Sequence, residues 1–148
     1  PARRFAQNAQ RLASLGVCAP KVIEHFWLDH RAAISACFYE PLPGTSLDKQ
    51  FHHQRESFEA SLPDLAAFIR SLHQQGIYFR SLHLGNILRL PDGRFGLIDF
   101  LDLRIKRAPL SSMLAHRNLK HLQGYLARAK IKDFPWLRLM QLYADQRP

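Results

Sequence analysis

The chain has 148 residues, 47% of them hydrophobic, and a formal net charge of +9, which indicates one domain with an ordinary core. Its apolar runs are too short to span a membrane, its N-terminus lacks the apolar region of a signal peptide, and Cys18 and Cys37 are not spaced as a metal or redox pair. We therefore expect a cytoplasmic protein with reduced cysteines.

The excess positive charge lies in the last third of the chain. Residues 1–103 contain 11 Lys and Arg against 10 Asp and Glu, whereas residues 104–148 contain 10 against 2. A basic face attracts an anionic partner. Phosphorylated glycolipid, an anionic membrane surface and nucleic acid all fit, and nucleic acid is the weakest of the three because charge is its sole support. A solvated pair of basic helices explains the same charge without a partner.

The N-terminal part predicts one helix and a β-hairpin. An apolar stripe runs through residues 4–15, and Gly16 follows as a helix terminator. Two apolar, β-rich runs, residues 22–28 and 33–39, are separated by a short polar connection, which is typical of a hairpin. Residues 40–44, Glu-Pro-Leu-Pro-Gly, then leave the second strand as a turn.

The middle of the chain predicts a buried helix and a second hairpin. Residues 46–59 are polar and mixed, and we assign no element to them. Ser61 is expected to cap the helix with its side chain, and Gly76 to end it. Residues 87–90 and 95–98 are short apolar runs joined by Pro-Asp-Gly-Arg, which has turn chemistry because Pro fixes φ and Gly supplies a positive φ.

Two polar residues flank this second hairpin. Asn86 precedes the first strand and Asp99 follows the second. Because strands of similar length return the chain to its starting edge, we expect these side chains at the same edge. An amide oxygen and a carboxylate suit Mg²⁺ together with phosphate oxygens. The sequence therefore predicts a magnesium site formed by Asn86 and Asp99.

The tail predicts two helices, residues 110–122 and 133–143, each with an apolar stripe and basic residues around it. The aromatic residues Trp136 and Tyr143 are expected in the core rather than on a sugar-binding platform. Basic helices packed along one stripe turn their cationic faces outward, which suits a membrane surface.

The residues around the second hairpin resemble the protein-kinase-like fold, in which a catalytic-loop Asn precedes a hairpin that ends in Asp-Phe-Gly. Here Asn86 precedes the hairpin and Asp99-Phe100-Leu101 follows it. Residues 82–88, Leu-His-Leu-Gly-Asn-Ile-Leu, are similar to the aminoglycoside-phosphotransferase and lipopolysaccharide-kinase branches. Residues 110–122 look like the Arg-Asn-Leu helix of the bacterial lipopolysaccharide core (heptose or Kdo) kinases.

The resemblance implies an α+β, protein-kinase-like fold. Residues 1–47 would form a partial N-lobe of one helix, a β-hairpin and a hinge. Residues 48–148 would form a mostly helical C-lobe with a short catalytic hairpin and a basic helical tail. The Gly-rich loop and strand Lys of the family are expected upstream of Pro1.

The resemblance also implies an ATP-dependent phosphotransferase that acts on a sugar hydroxyl of the lipopolysaccharide core, at the inner face of the membrane. Asn86 and Asp99 would bind Mg²⁺ and the ATP phosphates. As a hinge, the Glu40 carbonyl and the Leu42 N–H would contact adenine, since Pro41 has no N–H to donate. A proline-rich strand exit is the structural alternative for these hinge residues.

Two further loop residues receive roles from the resemblance. Arg80 would order the catalytic loop, and a surface Arg is the alternative. His83 would hydrogen-bond the loop backbone or contact a phosphate, and a buried, satisfied His is the alternative.

The sequence departs from the family at several positions. Ser81 occupies the position of the catalytic Asp, and a serine cannot act as a general base because its pKa is too high. Leu101 replaces the Gly of Asp-Phe-Gly, and Gln7 or Asn8 stands where the family has the ion-pair Glu. Asp102, three residues beyond Asp99, is a candidate to replace a lost carboxylate, although its position in the sequence does not assign it that role.

These departures support two alternatives to the enzyme. One is a pseudokinase, a binding or regulatory module that keeps the fold without catalysis. The other is a polyanion or membrane-surface binder that acts through residues 104–148, associated peripherally with the inner membrane.

Overall fold

The computed structural model describes residues 1–145 and is a mixed α+β structure, as predicted. Residues 146–148, the end of the predicted basic tail, lie outside the described residues. The elements in chain order are α1 (Ala2–Ser14), β1 (Lys21–Asp29), β2 (Ile34–Glu40), β3 (Thr45–Ser46), α2 (Leu47–His53), α3 (Arg55–Ala60), α4 (Leu62–Gln74), β4 (Ile77–Tyr78), a 3-10 turn (Leu84–Asn86), β5 (Ile87–Arg89), β6 (Phe95–Leu97), β7 (Arg104–Ile105), α5 (Ser112–Arg128) and α6 (Trp136–Asp145).

The first part of the chain is α1 with the antiparallel pair β1–β2, which we call the outer ribbon. Gly16 ends α1 with a φ of +72°, as predicted. Both strands pack against α1, which buries Leu12 completely. Large hydrophobic side chains of the outer ribbon remain exposed, namely Ile23, Trp27, Leu28, Ile34, Phe38 and Tyr39. The two strands predicted from the sequence are therefore present, and much of their apolar surface lies in solvent.

The segment without a predicted element forms two short helices, α2 and α3. The hydroxyl of Ser46 caps α2 by accepting a hydrogen bond from the Lys49 N–H at 3.3 Å. Phe51 and Phe58 are fully buried, and their rings pack edge to face with centroids 5.2 Å apart. A few buried residues thus anchor a segment whose composition is polar.

Helix α4 lies where the sequence predicts it, with Ser61 as its N-cap residue, but the expected side-chain cap is wrong. The Ser61 hydroxyl donates to the Phe58 carbonyl oxygen at 2.8 Å, and its side chain accepts nothing from the first turn of α4. Helix α3 continues almost directly into α4, so Ser61 has a helical φ of −85° and ψ of −2° instead of an extended capping conformation.

A three-stranded antiparallel sheet, in the order β3–β5–β6, contains the second predicted hairpin. We call β5–β6 the site hairpin. Its turn is as expected, because the Leu90 N–H donates to the Arg94 carbonyl at 2.8 Å and Gly93 has a φ of +86°. Ile87 and Leu97 pair across the two strands and are both 0% exposed. The site hairpin is therefore part of the core.

The basic tail is attached to the body by the two-residue pairing of β4 with β7. The Lys106 N–H donates to the Gly76 carbonyl at 2.9 Å. A Cβ atom on Gly76 would lie 2.5 Å from the Ala108 carbonyl oxygen, so this close approach of two backbones requires glycine. Helices α5 and α6 follow, close to the predicted ranges. None of the helices in residues 1–145 is both long and apolar enough to cross a membrane.

A buried hydrogen-bond network joins the tail helices to α4. The two ring nitrogens of His73 contact the Tyr143 hydroxyl at 2.7 Å and the Asn118 Oδ1 at 3.0 Å. Asn118 also donates to the Phe79 carbonyl at 2.6 Å. Because Oδ1 of Asn118 only accepts, His73 donates from Nε2 and accepts from Tyr143 at Nδ1. Tyr143 therefore belongs to the core, as predicted.

Candidate functional site

The residues predicted to form the site lie on the segment 79–86, which we call the site loop, and at the end of the site hairpin. The Ile98 N–H donates to the Asn86 carbonyl at 3.0 Å. This bond continues the pairing of β5 and β6 by one step, so Asp99 leaves the hairpin at the edge where Asn86 enters it. The structure thus brings together the two ends that the sequence analysis expected to meet.

Asn86 is buried and oriented by the site loop. Its Nδ2 donates to the Ser81 carbonyl at 3.1 Å and lies 2.9 Å from Nε2 of His83. Its Oδ1 accepts no hydrogen bond from residues 1–145. The amide nitrogen therefore closes the loop, while the amide oxygen remains available as a ligand.

His83 contacts the loop backbone as well as Asn86. The Gly85 N–H donates to Nδ1 of His83 at 3.2 Å. A neutral imidazole has one acceptor nitrogen, so the hydrogen bonds from Gly85 and from Asn86 belong to alternative tautomers. The contact with the loop backbone is one of the two roles expected for His83. Its contact with a phosphate stays a prediction.

The imidazole of His83 stacks on the ring of Tyr125, with centroids 4.7 Å apart. Burial lowers the pKa of His83, and the nearby carboxylates of Asp99 and Asp48 partly oppose that effect. The Tyr125 hydroxyl donates to Asp48 at 3.0 Å. Burial, followed by this hydrogen bond, raises the pKa of Tyr125 to about 12. His83 is thus stacked on Tyr125 of α5, with the carboxylates of Asp99 and Asp48 nearby.

Ser81, at the position of the family's catalytic Asp, has a carboxylate as its partner. Its hydroxyl donates to Oδ2 of Asp102 at 2.8 Å. The other oxygen, Oδ1 of Asp102, is buried and has no hydrogen-bond partner in residues 1–145. An unpartnered buried acceptor is costly, so Asp102 is not explained as a purely structural residue. The sequence alone does not reveal this partner of Asp102, because the contact joins residues that are 21 positions apart.

Asp99 is exposed and has a φ of +53°. A left-handed backbone is uncommon outside glycine and often marks a functional constraint. The following residue fixes this conformation, since Phe100 is fully buried and stacks on Phe5 with centroids 4.7 Å apart. The Phe100 carbonyl also accepts a hydrogen bond from Nδ2 of Asn8 at 2.8 Å. Helix α1 therefore fixes the position of Phe100, and the preceding Asp99 stays outside the core.

The hinge residues lie between the outer ribbon and the three-stranded sheet. Glu40 ends β2 and is exposed. Leu42 packs against β6, since a Cβ atom on Gly96 would lie 2.6 Å from its Cδ1. Leu42 is thus next to the strand that leads to Asp99, and the contact of Glu40 and Leu42 with adenine stays a prediction.

Arg80 is exposed, and its side chain lines a cleft between β4, β7 and α5. Its guanidinium makes no hydrogen bond or ion pair with residues 1–145, so the ordering of the loop by Arg80 stays a prediction. Asn118 of α5 is hydrogen-bonded to the loop instead, through the Phe79 carbonyl. The sequence signal for it was the Arg-Asn-Leu motif, whose central residue is Asn118.

The comparisons with known proteins concern the fold. No protein-family model and no curated protein matches the chain. A solved structure described as monomeric WbdD is 17% identical with a TM-score of 0.57, and the match covers 99% of this chain and 37% of that one. This chain therefore corresponds to little more than a third of the length of that protein, and the likeness, at this identity, shows that the two share a fold over that part.

Proposed function

We propose that this chain is a kinase-like phosphotransferase, similar to the lipopolysaccharide core kinases, that transfers the γ-phosphoryl group of ATP to a sugar hydroxyl at the inner face of the membrane. The observation that supports this best is the carboxylate of Asp102, hydrogen-bonded to Ser81 at 2.8 Å. It restores an acid beside the site loop, at the position where the sequence lacks one.

The oxygen atoms at the end of the site hairpin fit Mg²⁺. The Oδ1 of Asn86 is free to coordinate, and Asp99 presents an exposed carboxylate. No cluster of three or more His, Cys, Asp or Glu side chains is present in residues 1–145. Mg²⁺ on a nucleotide is often held by one or two carboxylates, with phosphates and waters completing the octahedron. Bound Mg²⁺ would neutralise charge on the transferred phosphoryl group, and Glu40 and Leu42 would frame adenine.

Ser81 and Asp102 would together accept the proton of the acceptor. As the acceptor oxygen bonds to the γ-phosphorus and the bond to the leaving ADP oxygen breaks, the hydroxyl proton passes to Oγ of Ser81. The proton of Ser81 passes at the same time to Oδ2 of Asp102. Positioning and charge neutralisation supply most of the catalysis in this reaction class, so a relayed base is compatible with turnover.

A pseudokinase is the second candidate, and Asn8 favours it. Asn8 is one of the two positions where the family has its ion-pair Glu, and it carries no charge. Its side chain is buried, and its Nδ2 donates a hydrogen bond to the Phe100 carbonyl. This hydrogen bond would hold the loop that contains Asp99 and Asp102 in place. It would not replace the Glu that, in the family, pairs with the Lys that contacts the ATP phosphates.

Nucleotide binding is tested by thermal unfolding with and without Mg·ATP. A ligand at about 100 times its Kd adds roughly 2.7 kcal/mol to the stability of the folded state. We expect this stabilisation for the wild type and its loss in Asp99→Asn. Asp92→Asn is the matched control, because it removes the same charge from the exposed hairpin turn. Equal stabilisation of Asp99→Asn and wild type would contradict the proposal.

Catalysis is tested by transfer of label from γ-labelled ATP to lipopolysaccharide core oligosaccharide. Loss of a general base typically lowers the rate by about 10²–10⁴-fold, and we expect such a loss in Asp102→Asn. Nucleotide binding without transfer, together with no gain in Ser81→Asp, would identify the pseudokinase instead.

A further inference from the structure

Arg80 shares its cleft with three other cations. The cleft has a volume of about 310 Å³ and is lined by Arg80, Arg104, Lys106 and Arg117 together with Tyr78 and His121. It contains no Asp or Glu in its lining. We call it the cationic cleft. The volume is at the lower end of the range for small-ligand sites.

The four cations come from three different parts of the fold. Arg80 is the second residue of the site loop, Arg104 and Lys106 belong to β7 and the residue after it, and Arg117 lies on α5. The pairing of Tyr78 with Arg104 and the 2.8 Å contact between the Tyr78 hydroxyl and Nε2 of His121 bring these parts together. Like charges are therefore assembled by the tertiary structure rather than by neighbours in the sequence.

These cations lack the acidic neighbour that three other arginines have. Arg55, Arg89 and Arg94 each lie within 4 Å of an aspartate. No such ion pair involves the four cations of the cleft in residues 1–145. Converging positive charges repel one another, so a bound anion would stabilise this arrangement.

His121 reports the same field. Burial lowers its pKa, and the positive charges of Arg80 and Arg117 lower it further. Arg128 acts in the same direction, and Asp102 opposes it. The lining therefore concentrates positive potential at the wall of the cleft.

We propose that the cationic cleft binds a phosphate group, carried by a small phosphorylated molecule or present as free phosphate. Planar guanidinium groups from Arg80, Arg104 and Arg117 match the oxygens of a phosphate in pairs, and Lys106 adds a point charge. The Tyr78 hydroxyl and His121 supply further polar contacts. A bulky polyanion is less suited to a cleft of this volume.

The cleft also deepens the proposed function. Arg80 is the residue directly before Ser81, so a phosphate in the cleft lies next to the site loop. If the chain is the proposed phosphotransferase, on which this assignment rests, the acceptor would be a sugar that already carries a phosphate at another position. Binding of phosphate to the cleft does not depend on that reaction.

The test measures binding in the absence of nucleotide. Wild type is titrated with glucose 6-phosphate, inorganic phosphate and glucose at constant ionic strength, by isothermal calorimetry. Arg117→Gln and Lys106→Gln are compared with Arg138→Gln, which removes one charge from an exposed position on α6 outside the cleft. Circular dichroism melts of the free variants verify that they fold.

We expect saturable binding of glucose 6-phosphate and none of glucose. Affinity should fall about tenfold in Arg117→Gln, as for the loss of a charge-assisted hydrogen bond, and stay unchanged in Arg138→Gln. Tighter binding of glucose 6-phosphate than of inorganic phosphate would assign the cleft to a phosphorylated small molecule, and equal affinities would assign it to free phosphate.

Absence of saturable binding of both phosphates would overturn the proposal, and so would an equal loss in Arg117→Gln and Arg138→Gln. The result is separable from nucleotide binding. Phosphate binding without stabilisation by Mg·ATP would support the proposed cleft and contradict the proposed phosphotransferase. Stabilisation by Mg·ATP without phosphate binding would contradict only the proposal for the cleft.

Discussion

Residues 1–145 contain two antiparallel hairpins that the same kind of sequence pattern predicts. In the structure their side chains are buried to very different extents. The outer ribbon has longer strands, yet Ile23, Leu28 and Phe38 are each at least 60% exposed. The site hairpin has three-residue strands, yet Ile87 and Leu97 are fully buried. Strand length therefore does not decide how much a hairpin contributes to the core. What matters is whether a second layer covers it.

Helix α1 lies at the junction of the two hairpins, because it contacts the outer ribbon and the residue that follows the site hairpin by two positions. Phe5 stacks on Phe100 just beyond the site hairpin, and its other neighbour, Tyr39 of the outer ribbon, lies 5.3 Å away. The predictions below test whether the site hairpin is the stable part of the structure and the outer ribbon the weakly held part.

The largest effect is expected from the same truncation in each hairpin. Leu97→Ala removes a buried side chain and leaves a cavity, so it should lower the free energy of unfolding by about 2–5 kcal/mol. Leu28→Ala on the outer ribbon should change it by less than about 0.5 kcal/mol, since Leu28 is 64% exposed. Urea unfolding measures both values. Similar losses for the two variants would show that the outer ribbon is covered in solution.

A second test uses pH, because the core that covers the site hairpin includes the buried His73 of α4. Burial lowers the pKa of His73 from 6.5 to about 4. Between these two pH values His73 is protonated in the unfolded chain and neutral in the folded chain. The contribution of His73 to the free energy of unfolding is therefore fully present above pH 6.5 and is lost as the pH falls towards 4. The expected loss is roughly 3 kcal/mol. Urea unfolding at pH 7, 5.5 and 4 measures it, and His73→Gln should flatten the dependence. An unchanged slope in that variant would assign the acid loss to other groups.

A third test concerns the junction between the hairpins. Asn8→Ala leaves the buried Phe100 carbonyl without its donor and should lower the free energy of unfolding by about 1–3 kcal/mol. Gln7→Ala is the matched control on the exposed face of α1, where we expect little change. If the hydrogen bond positions Asp99, Asn8→Ala should also weaken the stabilisation by Mg·ATP. Full stabilisation by nucleotide in the variant would separate the fold of this junction from the site.

The smallest effect is expected at the turns, where the two hairpins are alike. Asp29 accepts hydrogen bonds from the backbone of Arg31 and Ala32, and Asp92 accepts one from the backbone of Arg94. Both aspartates are exposed. Asp29→Ala and Asp92→Ala should therefore shift the urea midpoint by similar amounts, smaller than in Leu97→Ala or Asn8→Ala. A markedly larger shift for Asp92→Ala would mean that the turn controls the site hairpin more than its buried strands do.

The sequence predicts the site hairpin because its determinants are local. The turn Pro91–Gly93, the apolar strands and the flanking Asn86 and Asp99 are all contained in a short stretch. The same holds for α4 and the tail helices, whose apolar stripes repeat at helical spacing.

Features that depend on distant partners were missed. Helices α2 and α3 were hidden by a polar composition in which Leu47, Phe51 and Phe58 supply the burial. The Ser81–Asp102 hydrogen bond and the cationic cleft join residues from separate elements. The hydrophobic periodicity of a sequence does not predict such contacts. For the outer ribbon, the apolar, β-rich runs predict the two strands but do not show what packs against them.

The pairing of β4 with β7 has a consequence for folding. These two-residue strands join the ends of the segment 77–105, which contains the site loop, the site hairpin and Asp102. Closing a chain segment costs entropy that grows only slowly with its length, so this short pairing restricts everything between its ends at once. We expect the candidate site to form, and under mild denaturant to open, as a single cooperative unit. The amides of residues 77–105 should then exchange with solvent at a common rate set by this one closure.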